Sequence, residues 1–170
     1  PAPSSSTISG PGAPRTEVPG GSILVGDGDT VRLRKRGGGT ESVRILGIDT
    51  PEVRQRGSSL DEDQPYGPEA RDFARRAFDG AKRVEIARAK RPDRYGRTLA
   101  YFFLDGRNYS AMAIRAHLAE ETVSRYGSQG FPTEAAEVLA AARAAGPPPF
   151  ESPSAFRDRM RERASVITAT

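Results

Sequence analysis

The chain contains no cysteine and only one histidine, and each scarcity narrows its chemistry. Without cysteine, disulfides and thiolate metal sites are excluded. An oxidising compartment would be harmless, but it is not implied. With His117 as the only imidazole, hydrolytic sites built on histidine pairs and zinc sites of the three-histidine type are excluded as well. Acid–base work is left to Asp, Glu, Tyr, Lys and Arg. His117 itself sits in the apolar helical stretch Met112-Ala113-Ile114-Arg115-Ala116-His117-Leu118, and reads as a structural or surface residue. Long hydrophobic runs are missing too. No stretch reaches the roughly 18–20 apolar residues that cross a bilayer, and no signal peptide is legible.

What is present is a basic centre. The 170 residues suit one compact domain, and the 36% hydrophobic content supports a modest core. Net charge is +4, with a sequence pI near 9.8. The excess lies between Gly21 and Phe131, and the flanks are balanced. Such a footprint fits a polyanion, although a solvated mixed surface gives the same count. Residues 1–21 are rich in Pro, Ser, Gly and Thr and read as a flexible leader. A leader of this kind commonly follows an export signal and equally suits an appended tail. It sets an expectation of a secreted, periplasmic or cell-surface bacterial protein.

The domain proper is expected over 22–146, with a Pro-rich turn and a last helix over 147–170 that is docked or partly mobile. Strand signals fill the first half. Ser22 to Val25 is short and apolar. Thr30 to Lys35 alternates, Gly37-Gly38-Gly39-Thr40 is a turn, and Glu41 to Ile48 returns. In the returning strand Val43 and Ile45 point one way and Arg44 the other. Val53 to Pro65, with its Asp61-Glu62-Asp63 run, reads as a mobile solvated loop. A helix follows, with Pro68 at its first position and Ala70, Phe73, Ala74, Ala77 and Phe78 on one stripe. Arg71, Arg75 and Arg76 lie off that stripe and read as a solvated face. Strands are expected at Arg83 to Ala87 and Arg97 to Leu104. Helices are expected at Ser110 to Ala119 with Ser110 as N-cap, at Thr133 to Ala145, and at Ser154 to Ala164. The last carries a thin stripe of Phe156, Met160 and Ala164. The sum is an α+β protein with a mainly β core: a five-stranded OB-type Greek-key barrel with about three to four helices.

Two acidic motifs flank the arginine-bearing strand. They are Asp27-Gly28-Asp29-Thr30 and Asp49-Thr50-Pro51-Glu52. Carboxylates at the ends of adjacent strands can share a hard cation, which selects oxygen ligands. An arginine beside them suits a phosphate, because its planar fork pairs with two oxygens at once. A cation, a spare carboxylate and an arginine together point to phosphodiester hydrolysis.

Four blocks, taken in order, resemble the staphylococcal (micrococcal) nuclease family, the thermonucleases. They are Val25-Gly26-Asp27-Gly28-Asp29-Thr30-Val31, Arg44-Ile45-Leu46-Gly47-Ile48-Asp49-Thr50-Pro51-Glu52, Tyr66-Gly67-Pro68-Glu69-Ala70, and Asp93-Arg94-Tyr95-Gly96-Arg97. The resemblance runs from about Ser22 to Ala119, with a weaker helical match beyond Thr133. It implies that Asp29 and Asp49 ligate one Ca²⁺. Thr50 would add its backbone carbonyl, and Asp27 would be a nearby carboxylate outside the direct ligand set. It implies that Glu52 orients or deprotonates the attacking water, and that Arg44 and Arg97 grip the scissile phosphate. Arg94 and Tyr95 match positions that meet the bound nucleotide, and Tyr126 is a candidate for stacking on a base. The segment Glu120-Glu121-Thr122-Val123-Ser124-Arg125-Tyr126 is more acidic and less aromatic than the family pattern. The family's tryptophan near the C-terminus is also missing, with Phe150 as a substitute.

The resemblance therefore implies a Ca²⁺-dependent endonuclease acting on DNA and RNA, single strands first. It would leave 3′-phosphate ends. Separately from the resemblance, a monomer is expected, and the lack of a long apolar run sets the expectation of no membrane partner. The alternatives are a non-catalytic OB-type nucleic-acid-binding or scaffold module, and a small soluble domain whose charges are only surface.

Overall fold

The computed structural model describes residues 13–169. A mixed sheet forms the centre, in the α+β class with a mainly β core. Its strands are β1 (Thr16–Val18), β2 (Ile23–Val25), β3 (Thr30–Arg34), β4 (Thr40–Ile45), β6 (Val84–Arg88), β7 (Thr98–Leu104) and β8 (Arg107–Asn108). The order is β1-β6-β7-β4-β3-β2, with β8 pairing β7. Only β4 and β7 run parallel. The alternation legible in β3 and β4 places Val31, Leu33, Val43 and Ile45 in the core. β7 is covered on both faces, and Ala100 through Leu104 are all buried.

The five strands expected from the sequence are present as β2, β3, β4, β6 and β7. They do not close into a barrel among the described residues. The outer edge of β6 is paired by β1, in register Thr16 to Ile86 and Val18 to Val84. This strand falls inside the stretch read as a leader, whose residues 1–12 lie outside the described residues. Arg15 reinforces the attachment, with its guanidinium 3.5 Å from the centroid of the Phe103 ring.

The strand expected to run to Ile48 instead bends after Ile45. Gly47 adopts φ +84, and a Cβ there would lie 2.7 Å from the Tyr101 hydroxyl oxygen. Only glycine fits that turn and that approach. The bend starts β5 (Ile48–Asp49), which pairs with β9 (Glu120–Glu121) in a separate two-stranded sheet.

Five helices are described, against the three to four expected. α1 (Gly67–Gly80) buries Ala70, Ala74 and Phe78. α2 (Tyr109–Arg115) is capped by Asn108 rather than Ser110, since the Asn108 side chain accepts the Ser110 N–H at 3.0 Å. The Ser110 hydroxyl is buried and donates to the Leu46 carbonyl. α3 (Val123–Tyr126) is a single turn. α4 (Pro132–Ala145) packs on α2 and buries Ala135, Val138 and Ala141. α5 (Pro153–Thr168) docks through Phe156 and Met160 onto Leu60. None of these helices is long and apolar enough to cross a membrane.

That docking changes the reading of the 53–65 loop. Leu60 and Gln64 are buried, and the Gln64 amide donates to the Glu151 carbonyl at 2.6 Å. The acidic run pairs rather than drifting in solvent. Asp61 and Glu62 meet Arg163, and Asp63 accepts the Arg54 N–H. The loop is fixed by the last helix, a long-range contact that no local pattern announces.

Candidate active site

The tight link between β2 and β3 turns Asp29 toward the bend after β4. The Asp27 carboxylate accepts the Asp29 N–H at 3.0 Å, closing a local turn. Asp29 in turn accepts the Thr50 N–H at 2.8 Å. Arg44, projecting from β4, completes the corner. Its Nη1 donates to the carbonyls of Ile45 and Ile48, at 2.9 and 3.0 Å. Its Nη2 lies 3.3 Å from both Asp29 Oδ2 and Asp49 Oδ1. One guanidinium thus sets the bend and joins the two acidic motifs. Thr50 is buried behind them.

Glu52 is held by its backbone. Its N–H donates to Gln64 Oε1 at 3.0 Å, and its carbonyl accepts the Gln64 N–H at 2.9 Å. Its carboxylate accepts from Arg157 of α5. The same guanidinium takes both oxygens of Asp49, at 3.1 Å to Oδ1 and 2.9 Å to Oδ2. Sequence reasoning missed Arg157. Its only trace was the stripe of Phe156 and Met160 beside it.

Burial shapes the charges. It pushes Asp29 above the ordinary carboxylate range, against the pull of Arg44, with Asp27 and Asp49 adding to the rise. Burial also raises Glu52, against the hydrogen bond from Arg157. Burial disfavours the charge on Arg44 and Arg157, but their carboxylate partners outweigh it and hold both cationic.

A cavity of about 810 Å³ opens over this corner. Asp27, Asp29, Arg44, Asp49 and Glu52 line one part of it, and Arg94, Tyr95, Arg97 and Tyr126 another. Arg97 is steered by Asp93, which accepts both its N–H at 2.9 Å and its Nε at 2.7 Å. Tyr95 and Tyr126 are 68% and 61% exposed, so their rings are open to a ligand. Arg94 lies over the Tyr95 ring at 4.8 Å. The structure thus brings every expected site residue to one cavity except Thr50, which lies behind its wall.

The donor set decides what the corner could hold. No group of three or more His, Asp or Glu side chains close enough to bind a metal occurs among the described residues. What the corner offers is two buried carboxylates, Asp29 and Asp49, with only oxygen donors. A positive group, the Arg157 guanidinium, is already seated on one of them. Two carboxylates, completed by water and phosphate oxygens, could hold a hard divalent cation.

Comparison with known proteins adds an independent line. The family model described as staphylococcal nuclease homologue matches residues 42–146. The thermonuclease of Staphylococcus hyicus is 39% identical over 98 residues, covering 57% of this chain and 55% of that protein. The thermonuclease of Staphylococcus intermedius is 37% identical over 108 residues, 61% of each chain. The SPbeta prophage-derived endonuclease YokF of Bacillus subtilis is 35% identical over 94 residues, 55% of this chain and 30% of that protein. The chain therefore spans between about a third and three-fifths of these relatives.

Proposed function

The chain belongs to the staphylococcal nuclease homologue family, and from that premise we propose that it is a Ca²⁺-dependent nuclease of DNA and RNA. The observation that carries the reading is the meeting of Asp29, Arg44, Asp49 and Glu52 at one corner of a cavity that Arg97 also lines. The relatives named thermonuclease and endonuclease support the same reaction class.

Asp29 and Asp49 would hold the cation, with the Thr50 carbonyl beside them and Asp27 as a nearby charge. When bound, the cation would draw electron density from the phosphate and offset its charge. Arg44 and Arg97 would bind the phosphate's non-bridging oxygens. Charge gathers there during in-line attack, so fixed donors favour the transition state over the ground state. Glu52 would accept a proton from the attacking water as the water oxygen bonds to phosphorus. Its raised pKa makes it a stronger base than an ordinary carboxylate. The bond from phosphorus to the 5′ oxygen breaks, and that oxygen takes a proton from solvent. The products are a 3′-phosphate and a 5′-hydroxyl. Tyr95 and Tyr126, both open to solvent, suit stacking on splayed bases, which favours single strands.

The test uses single-stranded DNA and RNA with Ca²⁺, with and without EGTA, beside Glu52→Ala and Arg97→Ala. Cleavage that needs Ca²⁺ and falls about 10²–10³-fold in Arg97→Ala is expected. Retardation of the strand without cleavage would leave a non-catalytic binding module instead.

A further inference from the structure

The cavity corner holds a cation of its own, and that cation is covalently part of the chain. Arg157 donates to both oxygens of Asp49 and to Glu52. Asp49 Oδ1 is also engaged by Arg44. Three guanidinium donors therefore occupy the carboxylate that would ligate calcium.

Arg157 is not placed by chance on a loose tail. Phe156 and Met160, on the same helix, are each 1% exposed and pack on Leu60. The start of α5 is tied down by the Gln64 amide at the Glu151 carbonyl and by the Ser152 hydroxyl at Glu120. Ser154, Arg157 and Arg161 recur at helical spacing, and all three line the cavity. The helix thus presents one polar face to the site while its apolar face is packed.

Electrostatics gives this contact a consequence. Asp27, Asp29, Asp49 and Glu52 converge, and Arg44 alone cannot offset four carboxylates. Arg157 adds a second positive charge to the same group. A divalent cation and a guanidinium on the same carboxylate repel each other, and the buried setting screens that repulsion poorly.

We infer that Arg157 is a tethered counter-ion of the carboxylate site, and that a divalent cation binds by exchange, displacing its guanidinium from Asp49. The inference rests on the reading of Asp29 and Asp49 as the cation's ligands. It adds a function for α5, which lies beyond residues 42–146 matched by the family model. Cation affinity is then set partly by how firmly α5 holds its arginine in place.

The experiment is calorimetric titration of CaCl₂ into the metal-free full chain, comparing the parent protein with Arg157→Gln, Arg157→Lys and Arg159→Ala. Arg159 pairs with Glu151 on the exposed side and serves as the control. Arg157→Gln should bind Ca²⁺ on the order of tenfold more tightly, a coupling of ordinary size. Arg157→Lys should fall between, and Arg159→Ala should match the parent. In EGTA, Arg157→Gln should melt at lower temperature than the parent and regain most of the difference in Ca²⁺. Should Arg157→Gln fail to fold, nitrogen-15 spectra of the parent's arginine side chains replace it. Saturating Ca²⁺ should then release the hindered rotation of the Arg157 guanidinium. Equal or weaker Ca²⁺ affinity in the variant, or an Arg157 signal unmoved by Ca²⁺, overturns the exchange and leaves the nuclease reading intact. Absence of Ca²⁺ binding in every form overturns both.

Discussion

Asp29 accepts the Thr50 N–H at 2.8 Å, and the same oxygen lies 3.3 Å from Arg44 Nη2. That pairing converts two acidic motifs into one corner. It also ties Arg44 to structure as well as to chemistry, because its other nitrogen holds the Ile45 and Ile48 carbonyls. Arg44→Lys should therefore fail despite keeping the charge. A lysine is a point charge without the planar fork, and cannot serve two carbonyls and two carboxylates together. Cleavage should drop about 10²–10³-fold. Arg44→Ala should add a stability loss of about 3–5 kcal/mol, as for a buried pair that loses one partner. Single-turnover cleavage and urea unfolding check both figures. Parent-like cleavage by the lysine variant would show that charge alone suffices.

Gly67 offers a way to move Glu52 without touching its side chain. A Cβ at Gly67 would run into the Glu52 carbonyl oxygen, a backbone atom that cannot swing aside. That carbonyl also accepts the Gln64 N–H. Gly67→Ala should cost about 1–3 kcal/mol, as overpacking does. It should lower kcat by up to about 10²-fold through a misplaced carboxylate, with a smaller change in KM. A stable variant with unchanged kcat would mean that Glu52 is not held through this backbone contact.

Tyr109 supports the first acidic motif from beneath. It is fully buried, and its hydroxyl donates to the Gly28 carbonyl at 2.6 Å. Tyr109→Phe keeps the ring against Phe78, whose centroid lies 5.0 Å away, but leaves that carbonyl without its donor. The expected loss is about 1–3 kcal/mol in urea unfolding. A loss below about 0.5 kcal/mol would mean that water replaces the hydroxyl.

Much of this site is legible in the sequence, and the reason is local. The two acidic motifs stand at the ends of neighbouring strands, one of which carries Arg44, and this pointed to a shared corner, while the family resemblance supplied the role of Glu52. The core positions Val31, Leu33, Val43 and Ile45 followed from the same period. The missed features depend on contacts distant in sequence. Strand β1 exists because the edge of β6 needs a partner, while its own three residues carry little periodic signal. Strands β5, β8 and β9 have two residues each and carry none. Arg157 was hidden among four arginines of α5, and only docking on Leu60 tells which one turns inward. Asn108 displaced Ser110 as the cap because the Ser110 hydroxyl is spent on Leu46.

Glu41 predicts the acid limb of stability. It bridges three strands: from β4 it accepts both Nε and Nη2 of Arg88 on β6, at 3.0 and 2.8 Å, and the Thr98 hydroxyl on β7 at 2.7 Å. The hydrogen bonds from Arg88 hold its carboxyl below the usual 4.5, with burial opposing them and Thr98 assisting. A carboxyl depressed in the folded state binds its proton more readily when unfolded, so folding gains stability as pH rises through the gap. The contribution is complete above the unfolded value and is lost as pH falls through the folded one. Because Arg88 is partly exposed, the pair should contribute only about 1 kcal/mol. Glu41→Gln should therefore cost about that much at pH 7, and nearly as much at pH 5.5. As pH falls below 4.5 and on through the lower value of the folded carboxyl, the parent and the variant should converge. Urea unfolding across that range reads the difference directly. A gap between the two proteins that stays constant down to pH 3 would mean that Glu41 acts through packing and not through its charge.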